Sequence, residues 1–290
     1  MILADKWKDY ELIDCSNGEK IERWGNVVLL RPDPQVIWDN GNLREKYNNI
    51  NSHYHRSNKG GGSWENLKKT PEAWKISYGD LTFNIKQMGF KHTGLFPEQA
   101  VNWDFMMNKI KNSNKKEVKV LNLFAYTGGA SVACLKAGAS VVHVDSSRGM
   151  VDWAKENVKS SGMVDRPIRF IVDDVVKFVK REIRRGNKYD AIVMDPPSYG
   201  RGSNGEVWDI EKDLFELVTL CLDILADDAL FFIINSYSTG LSKDIFTNVL
   251  KLTLGKKFNG KIYSDEIGIP IKESDLVLPC GMYARFENEE

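Results

Sequence analysis

The sequence has few cysteines, no long apolar run and no net charge, and each lack excludes a class of protein. The four cysteines among its 290 residues are scattered and form no CxxC pair, which argues against a disulfide framework or a zinc site, so we expect no metal. No run approaches the about 18 apolar residues of a membrane-spanning helix, and the N-terminus has no signal-peptide core. We therefore expect a cytoplasmic protein without a membrane contact. Lys plus Arg (40) equals Asp plus Glu (40), so any nucleic-acid binding must depend on local basic patches.

The chain has the composition of a globular protein, with 42% hydrophobic and 28% charged residues. Residues 1–88 hold short β-like runs separated by turn dipeptides such as Asn17-Gly18, which predicts a small β-rich domain that is a candidate RNA or substrate contact. Within it, the polar segment 39–70 is interpreted as a mobile loop, and residues 76–85 as a hairpin. Residues 89–290 form the second predicted domain.

Beyond residue 115, short apolar runs alternate with segments of helical periodicity. The predicted strands are 118–124, 141–144, 168–172, 191–194 and 230–234, and the predicted helices are 130–137, 150–160, 175–183 and 213–225. This alternation predicts an α/β fold of the Rossmann-like type, with a mostly parallel, doubly wound sheet. In such sheets, ligands bind beyond the carboxyl ends of the strands where the strand order reverses.

Glycines or acidic residues follow four of the predicted strands. They are the Gly128-Gly129 turn, Asp145, the Asp173-Asp174 pair and Asp195. An acid after the second strand is well placed to accept hydrogen bonds from ribose hydroxyls. The first three also have a purely structural interpretation, because glycine is common in such turns and Asp145, Asp173 or Asp174 could cap the next helix. For Asp173, capping is the favoured interpretation.

The segment IVMDPPSYGRG, residues 192–202, carries the most specific signal. A buried strand stops at Asp195 and two prolines, which predicts a rigid wall with free carbonyls, suited to a flat ligand. Tyr199 can stack on a base, and Arg201 can meet a phosphate. The alternative is an ordinary turn with a packed tyrosine.

Four segments together resemble a known family: LNLFAYTGGASVACLKAGA, VDSS, YDAIVMDPPSYGRG and KHTGLFPEQ. They resemble class I S-adenosylmethionine (SAM)-dependent methyltransferases, and among these the bacterial large-subunit (23S) ribosomal RNA methyltransferases, over roughly residues 90–240. The resemblance implies an enzyme with SAM as cofactor and RNA as substrate. Asn122 and Ala125 depart from the wider superfamily, which has an acid and a glycine at those places.

The resemblance also implies residue roles. Asp145 would hold the ribose hydroxyls of the cofactor, Ser146 would lie beside its adenine, and Asp174 would reach the adenine amine. The implied cofactor-binding residues are Phe96, Gln99, Phe124, Tyr126, Thr127, Gly128, Asp145, Ser146, Asp174 and Asp195. The implied catalytic residues, which frame the target base, are Asp195, Pro196, Pro197 and Tyr199.

The residues after the fifth predicted strand bear on which atom is methylated. Methylation of cytosine C5 needs a cysteine nucleophile, and in the cytosine-modifying relatives that cysteine lies directly after the fifth strand. Here residues 235–238 read NSYS, while Cys134 and Cys221 lie on core-like helical faces and are interpreted as buried small hydrophobes. Cytosine C5 is therefore disfavoured as the acceptor. A purine nitrogen is favoured because the guanine-N7 relatives also carry an aspartate-diproline turn and an asparagine-serine segment after the fifth strand.

Three rival interpretations stay open at this point. The first is a SAM-dependent methyltransferase that acts on a protein or a small molecule, because fold does not determine substrate. The second is a non-catalytic module that binds a nucleotide or RNA. The third is a Rossmann dehydrogenase, which is disfavoured because Tyr126 and Thr127 stand where its glycines would be. The oligomeric state is left open by the sequence.

Overall fold

The computed structural model describes residues 1–57, 60–202, 205–237 and 240–288, which divide into two compact units. The N-terminal unit comprises Ile2–Ala100 and Gly268–Cys280, and the C-terminal unit comprises Val101–Ile267 and the chain from Gly281 onward. The sequence predicts a boundary after residue 88, and the observed division lies between Ala100 and Val101. Every described helix is too short or too polar to span a bilayer.

Short antiparallel strands build most of the N-terminal unit. Its elements are β1 (Ile2–Leu3), β2 (Tyr10–Ser16), β3 (Glu19–Trp24), β4 (Val27–Pro32), α1 (Leu43–Lys46), β5 (Ser52–Arg56), β6 (Gly62–Asn66), β7 (Trp74–Tyr78), β8 (Leu81–Ile85) and a 3-10 helix (Pro97–Gln99). Strands β2 to β6 form one sheet in chain order, in which only β4 and β5 pair in parallel. The hairpin expected near residues 76–85 is present as β7 and β8.

The segment 39–70 corrects the sequence-based interpretation of a mobile loop. Instead of a loop it supplies α1, β5 and β6, with only residues 58 and 59 outside the described part. Asn42 caps α1 by accepting a hydrogen bond from the Arg44 backbone N–H (3.0 Å), and Leu43 and Ile50 pack into the core. Polar side chains of this segment pair with one another, as Arg44 does with Glu65 (2.7 Å). The polarity of a segment therefore does not by itself exclude regular structure.

The C-terminal unit has the predicted alternation of strands and helices. Its elements are α2 (Ala100–Lys111), β9 (Lys119–Leu123), α3 (Gly129–Lys136), β10 (Ser140–Asp145), α4 (Arg148–Ser160), β11 (Ile168–Val172), α5 (Val175–Arg185), β12 (Ala191–Met194), β13 (Tyr199–Arg201), β14 (Val207–Asp209), α6 (Ile210–Cys221), β15 (Phe231–Ser236), α7 (Lys243–Leu252), α8 (Leu254–Lys257), β16 (Gly260–Pro270) and β17 (Val277–Asn288). The last four elements and the β13–β14 ribbon were not predicted from the sequence.

The order of the main sheet creates a single reversal point. From one edge its strands run β11-β10-β9-β12-β15-β17-β16, with the short β1 beyond β16. The first five of these strands are parallel to one another. Strand β17 pairs antiparallel with β15. The chain moves outward from β9 through β10 to β11, and then returns to the other side of β9 as β12. The carboxyl ends of β9 and β12 are therefore the expected ligand site.

Candidate active site

The turn between β9 and α3 is held in a strained conformation. Phe124, Tyr126 and Gly128 have φ values of 53°, 51° and 83°, so two aromatic residues adopt the left-handed region that favours glycine. The backbone N–H of Ala125 donates to the Val144 carbonyl (3.0 Å), which ties the turn to the end of β10. Non-glycine residues in this region cost about 1–3 kcal/mol each and cluster at functional sites, which marks this turn as a candidate site.

Gly128 is required by packing as well as by its backbone angle. A Cβ at this position would lie 3.0 Å from Cβ of Ala154 and 3.3 Å from Cε1 of His143. His143 is fully buried, and burial lowers its pKa to about 3, so the imidazole is neutral. Its Nδ1 lies 3.0 Å from the Ser131 hydroxyl, which accepts from the Asn122 side-chain amide (2.9 Å). Asn122 thus makes a buried structural hydrogen bond at the end of β9.

Asp145 at the end of β10 is tied directly to the strained turn. One carboxylate oxygen accepts from the Tyr126 backbone N–H (2.9 Å), and the other accepts from the Ser147 backbone N–H (2.8 Å). Ser147, and not Asp145, is the N-cap position of α4, and Ser146 is exposed. Burial raises the pKa of the Asp145 carboxyl against the opposing effect of these two donors. Each carboxylate oxygen retains a further acceptor site, which suits hydroxyl donors of a ligand.

The two aspartates after β11 have different structural roles. Asp174 is the N-cap of α5 and accepts from the Lys177 backbone N–H (2.8 Å), whereas Asp173 forms an ion pair with Arg181. The favoured interpretation of Asp173 as the helix cap is therefore wrong. The N-cap is the residue immediately before the first helical residue, Val175, so Asp174 and not Asp173 occupies this position. Contact of Asp174 with adenine stays a prediction.

The turn after β12 is braced by a residue that the sequence did not single out. Trp208 on β14 is buried and donates its indole N–H to the Pro197 carbonyl (2.7 Å). Its ring also packs on Phe124 of the first turn, with ring centroids 4.8 Å apart. The Asp195 backbone N–H donates to the Leu123 carbonyl (3.3 Å). The turns after β9 and β12 are therefore joined through both backbone and side chains.

The interaction of Trp208 also corrects the expectation of free proline carbonyls. Pro197 is exposed but its carbonyl has a partner, while Pro196 is buried. In the sequence, Trp208 stands out only by its position next to Asp209. Asp209 caps α6 by accepting a hydrogen bond from the Glu211 backbone N–H (3.2 Å).

Tyr199 presents its ring to solvent. It lies in the short antiparallel ribbon of β13 and β14, opposite Asp209. The ring is 54% exposed, which is incompatible with the alternative of a packed core tyrosine. Arg201 donates from Nε to the Tyr199 hydroxyl (3.2 Å), so the guanidinium and the phenol form one exposed polar and aromatic surface next to Pro197.

Phe96 and Gln99 belong to the N-terminal unit. Phe96 precedes the 3-10 helix and contacts the His92 ring edge-on, with centroids 5.6 Å apart. Gln99 ends this helix and is 8% exposed. Their expected contact with the cofactor stays a prediction.

The end of β15 carries no cysteine within the described residues. Asn235 and Ser236 are buried, and the Asn235 side chain accepts from the Asn102 amide (2.8 Å); position 238 lies outside the described residues. Cys134 and Cys221 are fully buried, as interpreted from the sequence. Burial raises the pKa of Cys134 to about 12 and raises that of Cys221 further. Both thiols are therefore protonated and shielded.

Comparison with known proteins places this geometry in a family. Residues 20–243 match the sequence model described as S-adenosylmethionine-dependent methyltransferase. The crystal structure of the SAM-dependent methyltransferase from Agrobacterium tumefaciens is 34% identical, with 99% of this chain and 93% of that chain covered and a TM-score of 0.93. A methyltransferase structure in complex with S-adenosylhomocysteine (SAH) is 21% identical, covers 97% and 76% of the two chains and has a TM-score of 0.75, which indicates the shared fold.

Two curated relatives bear on the substrate. Ribosomal RNA large subunit methyltransferase K/L of Syntrophotalea carbinolica is 29% identical over 63% of this chain and 25% of its own length. Ribosomal RNA large subunit methyltransferase K of Neisseria meningitidis serogroup B is 27% identical over 64% of this chain and 52% of its own length. The chain thus spans between a quarter and about half of the length of these relatives.

Proposed function

We propose, from the premise that the chain belongs to the S-adenosylmethionine-dependent methyltransferase family, that it transfers a methyl group from SAM to a base of ribosomal RNA. The acceptor that we favour is a purine nitrogen. The curated relatives named as ribosomal RNA methyltransferases support the substrate class. An RNA substrate of this kind also supports a cytoplasmic location.

The observation that carries the proposal is the connection between the turns after β9 and β12. Trp208 contacts Phe124 with its ring and Pro197 with its N–H, so the turn that ends in Tyr199 is fixed to the turn that approaches Asp145. A transfer reaction between two bound molecules requires such a fixed separation, because alignment of the reacting atoms supplies much of the rate. An exposed tyrosine ring is suited to stack on an unpaired base.

The residues around Asp145 fit the cofactor. Bound SAM supplies an electrophilic methyl group on a sulfonium, so the protein needs to position the donor and the acceptor and needs no metal or redox group. Asp145 is ionised when it accepts hydroxyl hydrogen bonds, and each such bond favours the charged form against the effect of burial on its pKa. The left-handed φ values of Phe124, Tyr126 and Gly128 shape the turn beside Asp145, and the absence of a side chain at Gly128 lets a ligand approach the main chain closely.

We expect Asp145→Ala to weaken SAM binding about tenfold, because charge-assisted hydrogen bonds are worth about 1–3 kcal/mol. Isothermal titration calorimetry with SAM and with SAH measures this loss. Asp145→Asn is the matched control, since an amide oxygen still accepts one bond, and it should retain an intermediate affinity. Unchanged affinity in Asp145→Ala would rule out the ribose role of this residue.

The acceptor atom is inferred from the state of the cysteines in the C-terminal unit. Nitrogen methylation requires no covalent bond between enzyme and base, whereas cytosine C5 methylation requires a thiolate that adds to the ring. Cys134 and Cys221 are buried with raised pKa values, which supports a reaction without a cysteine.

A Cys134→Ser and Cys221→Ser double variant should keep kcat for RNA within about threefold of the unchanged enzyme, once activity is normalised to the folded fraction. Each serine buries a hydroxyl in an apolar site, so thermal unfolding has to be measured alongside. Trapping of a covalent adduct with RNA that contains 5-fluorocytosine would contradict the assignment to a purine nitrogen.

The substrate class is tested most directly with ribosomal RNA from a strain that lacks the gene. Mass spectrometry of its nucleosides should show the loss of one methylated base, and the purified protein with SAM should restore that base in vitro. A methylated protein or small molecule in place of RNA would favour the alternative substrate class. SAM binding without transfer to any of them would favour the non-catalytic module.

A further inference from the structure

Two histidines and a glutamate meet on one face of the sheet in the N-terminal unit. His53 and His55 are two residues apart on β5, so both side chains point to the same face, and their ring centroids lie 4.0 Å apart. Glu65 on β6 is the direct cross-strand partner of His53. Each of the three residues offers one ligand atom, and these atoms all lie within 4.8 Å of one another.

His53 has one ring nitrogen oriented by a carboxylate and the other without a partner. Its Nε2 lies 2.5 Å from a carboxylate oxygen of Glu19 on β3. Because an ionised carboxylate only accepts hydrogen bonds, Nε2 carries a proton, and Nδ1 is the ring nitrogen left for a metal bond. This Nδ1 is buried and has no hydrogen-bond partner, and the residue is only 7% exposed. A carboxylate on one nitrogen of a histidine is the usual support of a metal bond at the other.

His55 and Glu65 make hydrogen bonds that coordination of an ion can replace. His55 Nε2 lies 2.8 Å from a Glu65 carboxylate oxygen, and Arg44 donates to both oxygens of the same carboxylate (2.7 and 2.8 Å). The Arg44–Glu65 pair is 41% exposed on each side, and exposed ion pairs contribute little free energy. The guanidinium keeps Glu65 ionised and can rotate into solvent without a large cost.

We propose that His53, His55 and Glu65 bind a divalent transition-metal ion of the Zn²⁺ class, with Glu19 as the group that orients His53. Two imidazole nitrogens and one carboxylate are a donor set that Zn²⁺ accepts, whereas Mg²⁺ and Ca²⁺ prefer oxygen ligands alone. The ion would satisfy the buried Nδ1 of His53 and would link β5, β6 and, through Glu19, β3. The expectation of no metal rested on the absence of cysteine pairs, and this site uses no cysteine.

The test is zinc binding by the full-length protein in the presence of a reductant. Equilibrium dialysis against micromolar Zn²⁺, followed by elemental analysis, should find about one zinc per chain, and excess Mg²⁺ should not displace it. His55→Gln should weaken zinc binding by at least about tenfold. This side chain is 45% exposed, so its replacement should leave the fold intact, which circular dichroism checks. His92→Gln, which removes a histidine elsewhere in the same unit, is the matched control and should bind zinc like the unchanged protein.

Zinc binding that is absent at these concentrations, or that is equally tight in His55→Gln, would overturn the proposal. The second outcome includes zinc held by a thiol such as Cys280, because such binding does not depend on His55. Glu65→Gln should weaken zinc binding less than His55→Gln and leave the stoichiometry unchanged at high zinc, because an amide oxygen is a weaker ligand. The proposal is independent of the methyl-transfer site, since it is measured without SAM or RNA.

Discussion

Replacement of Asp195 by alanine is expected to lower kcat for RNA methylation about a hundredfold, while the affinity for RNA changes little. Asp195 is the first residue beyond β12, and its backbone is bonded to the end of β9 (3.3 Å), so its side chain begins at the reversal point of the sheet. The role proposed for its carboxylate is to align the acceptor with the methyl donor, and loss of alignment by about 1 Å can cost about a hundredfold in rate. Contacts that matter mainly in the transition state lower kcat rather than binding.

Single-turnover methyl transfer with saturating SAM and RNA measures this effect, and filter binding measures RNA affinity. Asp195→Asn is the control, because it keeps the shape and one acceptor oxygen, and its rate should lie between those of the other two proteins. If Asp195→Ala instead loses RNA affinity in proportion to its rate, the residue contributes ground-state binding and the alignment role is wrong.

Tyr199→Ala should lower kcat/KM for RNA by about ten- to a hundredfold. Stacking of a base on an aromatic side chain is worth about 1–3 kcal/mol, and each 1.4 kcal/mol or so is a factor of ten in rate. The exposed ring has few packing contacts to lose, so thermal stability should change by less than about 0.5 kcal/mol. Calorimetry should also show unchanged SAM affinity, because the ring lies on the proposed acceptor side.

Tyr199→Phe separates stacking from hydrogen bonding. It keeps the ring and removes the hydroxyl that accepts from Arg201 (3.2 Å), so its kcat/KM should stay within about threefold of the unchanged enzyme. An equal loss in Tyr199→Phe and Tyr199→Ala would mean that the hydroxyl, through Arg201, is the functional group. Full activity in Tyr199→Ala would remove the proposed contact with the base.

Five strands and four helices of the C-terminal unit, β9 to β12 with β15 and α3 to α6, were readable from local pattern. Strands β11 and β12 have the bounds predicted from their apolar runs. For β12 the reason is that a strand buried in a parallel sheet is apolar along its length. The acids and glycines at the strand ends were also visible, since a ligand site in such a sheet is confined to these turns. The resemblance to SAM-dependent methyltransferases depended on the same residues.

Contacts between residues far apart in the chain could not be predicted in this way. Trp208 reaches Pro197 and Phe124 only because the ribbon of β13 and β14 folds back over the turn. A lone tryptophan in a polar stretch has no periodic pattern that would identify its partner. The choice between Asp173 and Asp174 as the helix cap has a similar cause, since the backbone geometry at a single residue decides which of two neighbouring acids caps the helix.

By itself, the sequence determined the type of fold, the positions of most strands in the C-terminal unit and the turns that carry the candidate active site. Hydrophobic periodicity and turn chemistry depend on residues that are neighbours in the chain, so they can be recognised in the sequence alone. Only the tertiary structure decided that the polar segment 39–70 supplies α1, β5 and β6 and that His53, His55 and Glu65 lie close together. Strand register brings such residues together, and register depends on hydrogen-bond pairing across the sheet rather than on neighbours in sequence.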